Sequence, residues 1–389
     1  MKYDFDKVID RRNTNSFKWD YCVKRHGMEV LPMWVADMDF EAPREVIEAI
    51  IKRARHRIYG YTPIPESYYE AVITWIKNKN GWDIRKDWII STPGALSAVG
   101  IAIQAYTGPG DRIIIQTPVY HPFPKIIKYN GRLPVINRLK QVKGGYQMDY
   151  NNLERLVAEG ARLLILCSPH NPVGRVWKRE ELIKLAEICV KRDVLVVSDE
   201  IHSDLIMKGY THTSIATLSD DIAKKTITLT SASKTFNLAG LSCSNIIIPD
   251  KVLFDKFNRI CKSLWLGIPN IFGMVATESA YRHGEEWLEQ LIDYIGESYK
   301  FLVSYIQNNS PRIKVVPLEG TYLGWLDFRD TGLSDKEIEE LILRDAKVCL
   351  ESGPKFGSGG EGFQRINLAC PRETLKQGLE RILRAIKKI

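Results

Sequence analysis

The sequence has little of what marks a secreted, membrane-spanning or metal-scaffolded protein. Its seven cysteines, Cys22, Cys167, Cys189, Cys243, Cys261, Cys349 and Cys370, are odd in number and scattered. They form no CxxC pair and no Cys/His spacing of the usual metal-site kind, so neither a disulfide framework nor a metal is expected. Most lie in apolar stretches such as "LLILCSP" and "LAEICV", where buried free thiols belong. No apolar run approaches the roughly eighteen residues that a membrane span needs. The N-terminal "MKYDFDKVIDRRNTNSFKWD" is charged where a signal peptide is apolar. The expectation is a soluble, cytoplasmic protein without membrane contact. Internal repeats, low-complexity tracts and disordered linkers are absent from the sequence. No strand-to-helix turn carries GxGxxG, which disfavours a dinucleotide-binding oxidoreductase. The net charge of +8 comes from lysines and arginines interleaved with acidic residues, so no nucleic-acid footprint is expected. That surplus does suit small anionic ligands.

What is present is a regular alternation. At 389 residues the chain exceeds what one core usually organises, which points to two domains. From about residue 40, helical patterns such as "KREELIKLAEICVKR" separate short runs rich in Val, Ile and Leu. "DRIIIQTP", "ARLLILCSP", "DVLVVSDE", "KTITLTSAS" and "SCSNIIIPD" are of this kind. Strands apolar on both faces and joined by helices predict a mostly parallel central sheet flanked by helices, an α/β class. After it come one long helical pattern, "VATESAYRHGEEWLEQLIDYIGESYKFLVSYIQ", then strands and two more helices. These predict a smaller α+β unit. The expected division is a large domain over 40–280 and a small one from 1–39 with 281–389.

In an open α/β sheet, ligands bind beyond the carboxyl ends of the strands, so the residues that close strands matter most. Taken singly they are ordinary. Asp199 after "VLVVS" reads as a turn or helix cap, the Asn171–Pro172 pair as a turn, and Lys234 in "SASKTFNLAG" as a surface lysine. Their order is not ordinary: "STPGALS", "TPVYHPF", "HNPVG", "SDEIHSDL", "SASKTFNLAG" and "GFQRINLACPR" follow one another along the chain.

In that order the motifs resemble the pyridoxal-phosphate (PLP) enzymes of fold-type I, aminotransferase class I/II. More narrowly the chain resembles the MalY/PatB-like cysteine-S-conjugate β-lyases. The narrower likeness rests on "WVADMDF" (34–40), "YGYT" (59–62), "PVYHPF" (118–123) and "DEIHSDL" (199–205). It rests equally on "SKTFNLAGL" (233–241), "EGTYLGWLDFR" (319–329) and "RINLACPR" (365–372). The resemblance implies pyridoxal 5'-phosphate as cofactor, held by Lys234, whose amine then serves as base for the substrate Cα proton. It implies that Asp199 faces the ring nitrogen, Asn171 donates to the phenolate oxygen, His202 lies near that oxygen, and Tyr120 stacks on the ring and assists proton transfer. The phosphate would sit at the helix start formed by Gly94, Ala95 and Leu96, with hydroxyls from Ser231 or Ser233. Tyr61 would reach it from a second copy of the chain, implying a homodimer. Arg365, helped by the backbone of Val35 and Ala36, would clamp the substrate α-carboxylate.

One departure accompanies the likeness. Many aminotransferases carry an arginine eight residues after the lysine to pair the phosphate; this chain has Ser242, as the narrower subgroup tends to. What neutralises the phosphate is left open. The reaction the resemblance implies is elimination from cystathionine or a related cysteine S-conjugate, to thiol, pyruvate and ammonia. An aminotransferase reaction, or a regulatory role in binding a transcription activator, stands as the alternative.

Overall fold

Branched apolar residues lose little by being extended and pack well on a pleated surface, and here they make the strands. The computed structural model describes residues 2–388. In chain order the strands begin with β1 (Leu31–Pro32), β2 (Ile89–Thr92), β3 (Arg112–Ile115), β4 (Leu133–Ile136), β5 (Lys140–Val142), β6 (Gly145–Gln147), β7 (Leu163–Cys167) and β8 (Leu195–Asp199). They continue with β9 (Thr226–Thr230), β10 (Ser244–Ile247), β11 (Lys314–Val315), β12 (Leu323–Asp327), β13 (Val348–Cys349), β14 (Glu351–Ser352) and β15 (Phe363–Asn367). A seven-stranded sheet runs in the order β2-β10-β9-β8-β7-β3-β4. Only β10 opposes its neighbours in direction; β4, β3, β7, β8 and β9 are parallel throughout.

Alternate residues of the parallel strands feed two separate cores. Ile114, Leu164, Leu166 and Val196 join one cluster, while Ile113, Ile115, Leu163, Ile165 and Val197 join another. Both faces of the sheet are therefore dry, which explains why these strands read as unbroken apolar runs. A second, antiparallel sheet has the order β11-β12-β15-β14. It shares a core with the helices Glu285–Asn309 and Arg372–Ile386 through Leu302, Leu323, Ile366 and Leu379.

Two elements depart from the sequence pattern. The long helical stretch is two helices, Ile271–His283 and Glu285–Asn309, separated at Gly284. The ring of Phe236 presses on that glycine so closely that a Cβ there would lie 2.4 Å from it. The pattern "DKEIEELILRDAKV" likewise makes only a short helix, Asp335–Glu340, and a widened turn before Val348 pairs in β13.

The sheet positions the site through its register. Cys167, Asp199 and Leu229 are neighbours across β7, β8 and β9, all pointing the same way. Adjacent strands lie about 4.8 Å apart. Whatever follows these three strand ends opens on one edge.

The segment 34–40 runs past that edge and is held from several directions. Lys18, 1 % exposed, pairs with Asp39 at 2.7 Å, and Arg11 bridges Asp37 and Asp39 at 2.7 and 2.9 Å. Asn237 donates to the carbonyls of Met38 and Phe40, and Asn367 to those of Val35 and Asp37. A buried charge stripped of its partner costs about 3–5 kcal/mol, so Lys18 and Asp39 are each held in place by the other.

Candidate active site

At the strand edge lies a cavity of about 470 Å³. Val35, Ala36, Tyr120, Asn171, Asp199, His202, Lys234 and Arg365 all line it, so eight of the residues singled out by sequence share one space. Lys234 stands in the one-turn helix Ala232–Thr235 that follows β9, with Nζ donating to the Ala36 carbonyl at 2.7 Å. Desolvation lowers its amine to about 8; the nearby Arg365 lowers it too, against the pull of Asp37 and Asp199. A substantial fraction is thus neutral near physiological pH, and a neutral amine is a nucleophile and a base.

Asp199 closes β8, is 5 % exposed, and receives only a long hydrogen bond from the Ile201 N–H, 3.4 Å. Among the described residues it has no ion pair, and burial pushes its carboxyl up to about 7. Such a group favours a cation placed against it. His202 is buried on the edge of the Tyr322 ring, with Nδ1 unpartnered, and desolvation drops it to about 3, so it is a neutral imidazole. Tyr120 packs edge-on to Phe123, and burial followed by the charge of Asp199 raises its phenol, which keeps its proton.

Arg365, on β15, is 2 % exposed. Its guanidinium donates to Asn171 Oδ1 at 2.9 Å and to the Trp34 carbonyl at 2.7 Å, and it lies over the Phe356 ring. Its Nε has no partner. Asn171 accepts through Oδ1, which leaves its amide N–H groups as the donors it offers the cavity. The carbonyls of Val35 and Ala36 already accept from Asn367 and Lys234. Any part these two residues take in holding a carboxylate therefore falls to their N–H groups.

The phosphate-side candidates do not line this cavity. Gly94 precedes the helix Ala95–Tyr106, whose first internal acceptor is Gly94 itself, bonded by the Ala98 N–H at 3.1 Å. The N–H groups of Ala95 and Leu96 are thus free of intrahelical partners, as at any helix start. A Cβ on Gly94 would meet nothing within 4 Å, so open space faces that helix end. Ser231 gives its proton to the Cys243 carbonyl at 2.7 Å and accepts from the Ser233 N–H. Ser242 is exposed, in a left-handed turn. Tyr61 is fully exposed and lies instead on a separate apolar groove with Trp265 and Ile268.

Sequence reasoning missed part of the wall: Phe17, Tyr21, Arg25, His121, Lys125 and Lys355 also line the cavity. Phe17, Tyr21 and Arg25 stand four apart, a helical spacing that was legible, and the two rings stack at 4.7 Å. Burial lowers His121 to about 4, so its imidazole is neutral.

Together these features fit a flat, charged heterocycle with a phosphate arm. A buried carboxylate without a cation and an unpartnered imidazole nitrogen are groups that such a ring would satisfy, and the open helix start, outside the cavity lining, is the kind of group that takes a phosphate. The fold and the cavity define the class: a PLP-type α/β enzyme of the fold-type I architecture. The chain belongs to the aminotransferase class I and II family, whose model matches residues 29–382, and within it to the MalY/PatB-like subgroup. It is 44 % identical to cystathionine beta-lyase PatB of Bacillus subtilis (strain 168), over 98 % of this chain and 100 % of that protein. The crystal structure of cystalysin from Treponema denticola, which contains a pyridoxal 5'-phosphate cofactor, superposes with a TM-score of 0.97 at 41 % identity, covering 100 % of both chains. The PLP-bound C-S lyase from Staphylococcus hominis gives 0.93 at 34 % identity, covering 99 % of this chain and 98 % of that one.

The lowered amine yields a direct test. Mixing cofactor-free protein with pyridoxal phosphate and following visible absorbance at successive pH values should show capture accelerating as pH rises through about 8, then levelling, because only the neutral amine adds to the aldehyde. A rate still climbing toward the ordinary lysine range would mean that Lys234 is not perturbed or is not the capturing amine.

Proposed function

We propose that this chain is a PLP-dependent carbon–sulfur β-lyase, cleaving cystathionine or a related cysteine S-conjugate to thiol, pyruvate and ammonia. The observation that carries the reading is the meeting of Lys234, Asp199, Asn171 and Arg365 around one cavity. The lyases among its relatives support elimination over transamination, and nothing in the structure favours a purely regulatory role.

When bound, the cofactor supplies an electron sink for the bond electrons released at Cα. Asp199 holds the proton on the ring nitrogen, for which its uncompensated carboxylate is suited. Asn171 donates from its amide to the phenolate oxygen, with neutral His202 beside it. Arg365 pairs the substrate α-carboxylate and fixes Cα toward Lys234, whose neutral amine takes the Cα proton. Tyr120 retains its proton and can hand it to the leaving sulfur; Lys234, once protonated, can do the same. Gly94, Ala95 and Leu96 would cradle the phosphate through their N–H groups, with Ser233 as the hydroxyl, since Ser231 gives its proton to the Cys243 carbonyl. Lys355 is paired with Glu351 in the same wall, so Arg25 and Lys125 are the cations the cavity offers to a second, distal carboxylate such as cystathionine carries.

The same reading places the cavity between a large unit, 40–280, and a small unit, 1–39 with 281–389. It also makes the active form a homodimer. The apolar groove with exposed Tyr61, Trp265 and Ile268 supports a second copy seated there, so that Tyr61 reaches the partner's phosphate site.

Incubation with cystathionine and no keto acid should release pyruvate and thiol over many turnovers. A reaction that stops after one equivalent, with the amino group left on the cofactor, identifies an aminotransferase instead. Arg365→Ala should weaken amino-acid binding by about 2–5 kcal/mol, the scale for breaking a buried hydrogen-bonded charge pair, with cofactor content near normal. Loss of cofactor with substrate affinity intact would contradict the clamp. Sedimentation should give the mass of two chains, reduced to one by Trp265→Asp; a wild-type monomer with full activity removes the shared-site reading.

A further inference from the structure

Away from the lysine cavity, one cluster of ligand-bearing side chains has no part in the lyase reading. All seven cysteines are buried free thiols, but Cys22 and Cys349 differ from the other five. With His26 they bring two Sγ atoms and one ring nitrogen within 4.8 Å of one another. Cys22 and His26 stand four apart on the helix Asp20–His26 and so share a face. Cys349 comes from β13, 323 positions beyond His26, fixed by the pairing of β13 with β1. No spacing rule along the chain could have shown it.

The separations are close to those of a chelate. A tetrahedral zinc ion with bonds of about 2.1 Å to nitrogen and about 2.3 Å to sulfur separates N from S by about 3.6 Å and S from S by about 3.8 Å. His26 Nε2 lies 3.8 Å from Cys349 Sγ. The three ligand atoms all lie within 4.8 Å of one another, so side-chain motion of at most about 1 Å would close the triad on a metal. Without one, two thiols and an imidazole gain only weak hydrogen bonds.

A second feature points the same way. A cavity of about 20 Å³ adjoins the cluster, lined by His26, Cys349, Ser352 and Gln364 among others. It is large enough for a single water. Gln364 is 2 % exposed, and its Nε2 has no hydrogen-bond partner. A metal-bound water in that space would complete four-coordination and accept from this orphaned amide, which is how outer partners commonly orient a ligand.

We propose that Cys22, His26 and Cys349 bind a thiophilic divalent cation of the zinc type, with one water as fourth ligand beside Gln364. The site is structural. Cys22 and Cys349 pack with Trp34, whose carbonyl receives Arg365, and the helix that carries Cys22 also carries Tyr21 and Arg25 to the substrate cavity. The ion staples that helix to β13 and fixes one wall of the cavity. This assignment stands independently of the lyase reading.

The test uses holoenzyme purified without chelator, dialysed against metal-free buffer and analysed for metal; stripped protein is then titrated with Co²⁺ alone. One metal per chain is expected, with tetrahedral cobalt ligand-field bands and thiolate-to-cobalt charge transfer. His26→Ala, at a half-buried position, should weaken cobalt binding by more than the roughly 10–100-fold that loss of an outer partner costs, with pyridoxal phosphate content and far-UV circular dichroism unchanged. Cys22→Ser with Cys349→Ser should abolish the charge-transfer band. The proposal is overturned if stripped wild-type protein takes up no cobalt, if the double variant keeps the thiolate band, or if thiol titration finds the two sulfurs joined as a disulfide.

Discussion

The segment 34–40 is the constraint on which the two ends of the site depend. It has no regular structure of its own, so its backbone groups must find partners elsewhere. Trp34 offers its carbonyl to Arg365 and Ala36 offers its carbonyl to Lys234. Asn367, two residues past Arg365, and Asn237, three past Lys234, take up four more of its carbonyls. A strand of the small sheet and a turn of the large one are thereby tied to the same few residues. The buried Lys18–Asp39 pair, with Arg11 on the other carboxylate oxygen, anchors the segment from below, because a buried charge leaves such partners only at a large cost. A shift of this segment would move the amine and the guanidinium together.

Desolvation then sets the chemistry. Lys234, Asp199, His121 and His202 sit in one enclosed space, and each is moved toward its neutral form. The result is a cavity holding a partly neutral amine, two neutral imidazoles and a carboxyl whose charge burial disfavours, with Arg365 as its most deeply buried positive charge. Such a site favours a ligand that brings its own charges, a cation toward Asp199 and a carboxylate toward Arg365. An amino acid joined to a protonated heterocycle carries both.

Much of this was legible in the sequence, for reasons that can be named. Parallel strands dry on both faces announce themselves as apolar runs, and their ends are where polar residues earn notice. Lys234, Asp199, Asn171, His202 and Arg365 were singled out that way, through the order of their motifs, and the structure brings them to one cavity. The break at Gly284 was missed because apolar residues keep a helical spacing across it; the glycine was the available signal, and the Phe236 ring and Ala280 carbonyl leave no room there for a Cβ. The commitment of the Ser231 hydroxyl to Cys243 was not legible, because it depends on β10 lying antiparallel beside β9.

By itself, then, the sequence determined the alternation of strands and helices, the family, and the residue types available for chemistry, since periodicity and local motifs are written into neighbours along the chain. Tertiary structure alone decided which of those residues share a solvent-poor space. The perturbed amine, the unpaired carboxylate and the Cys22–His26–Cys349 cluster all arise from groups far apart in sequence. Desolvation and coordination depend on distance in space, and the chain order carries no measure of that.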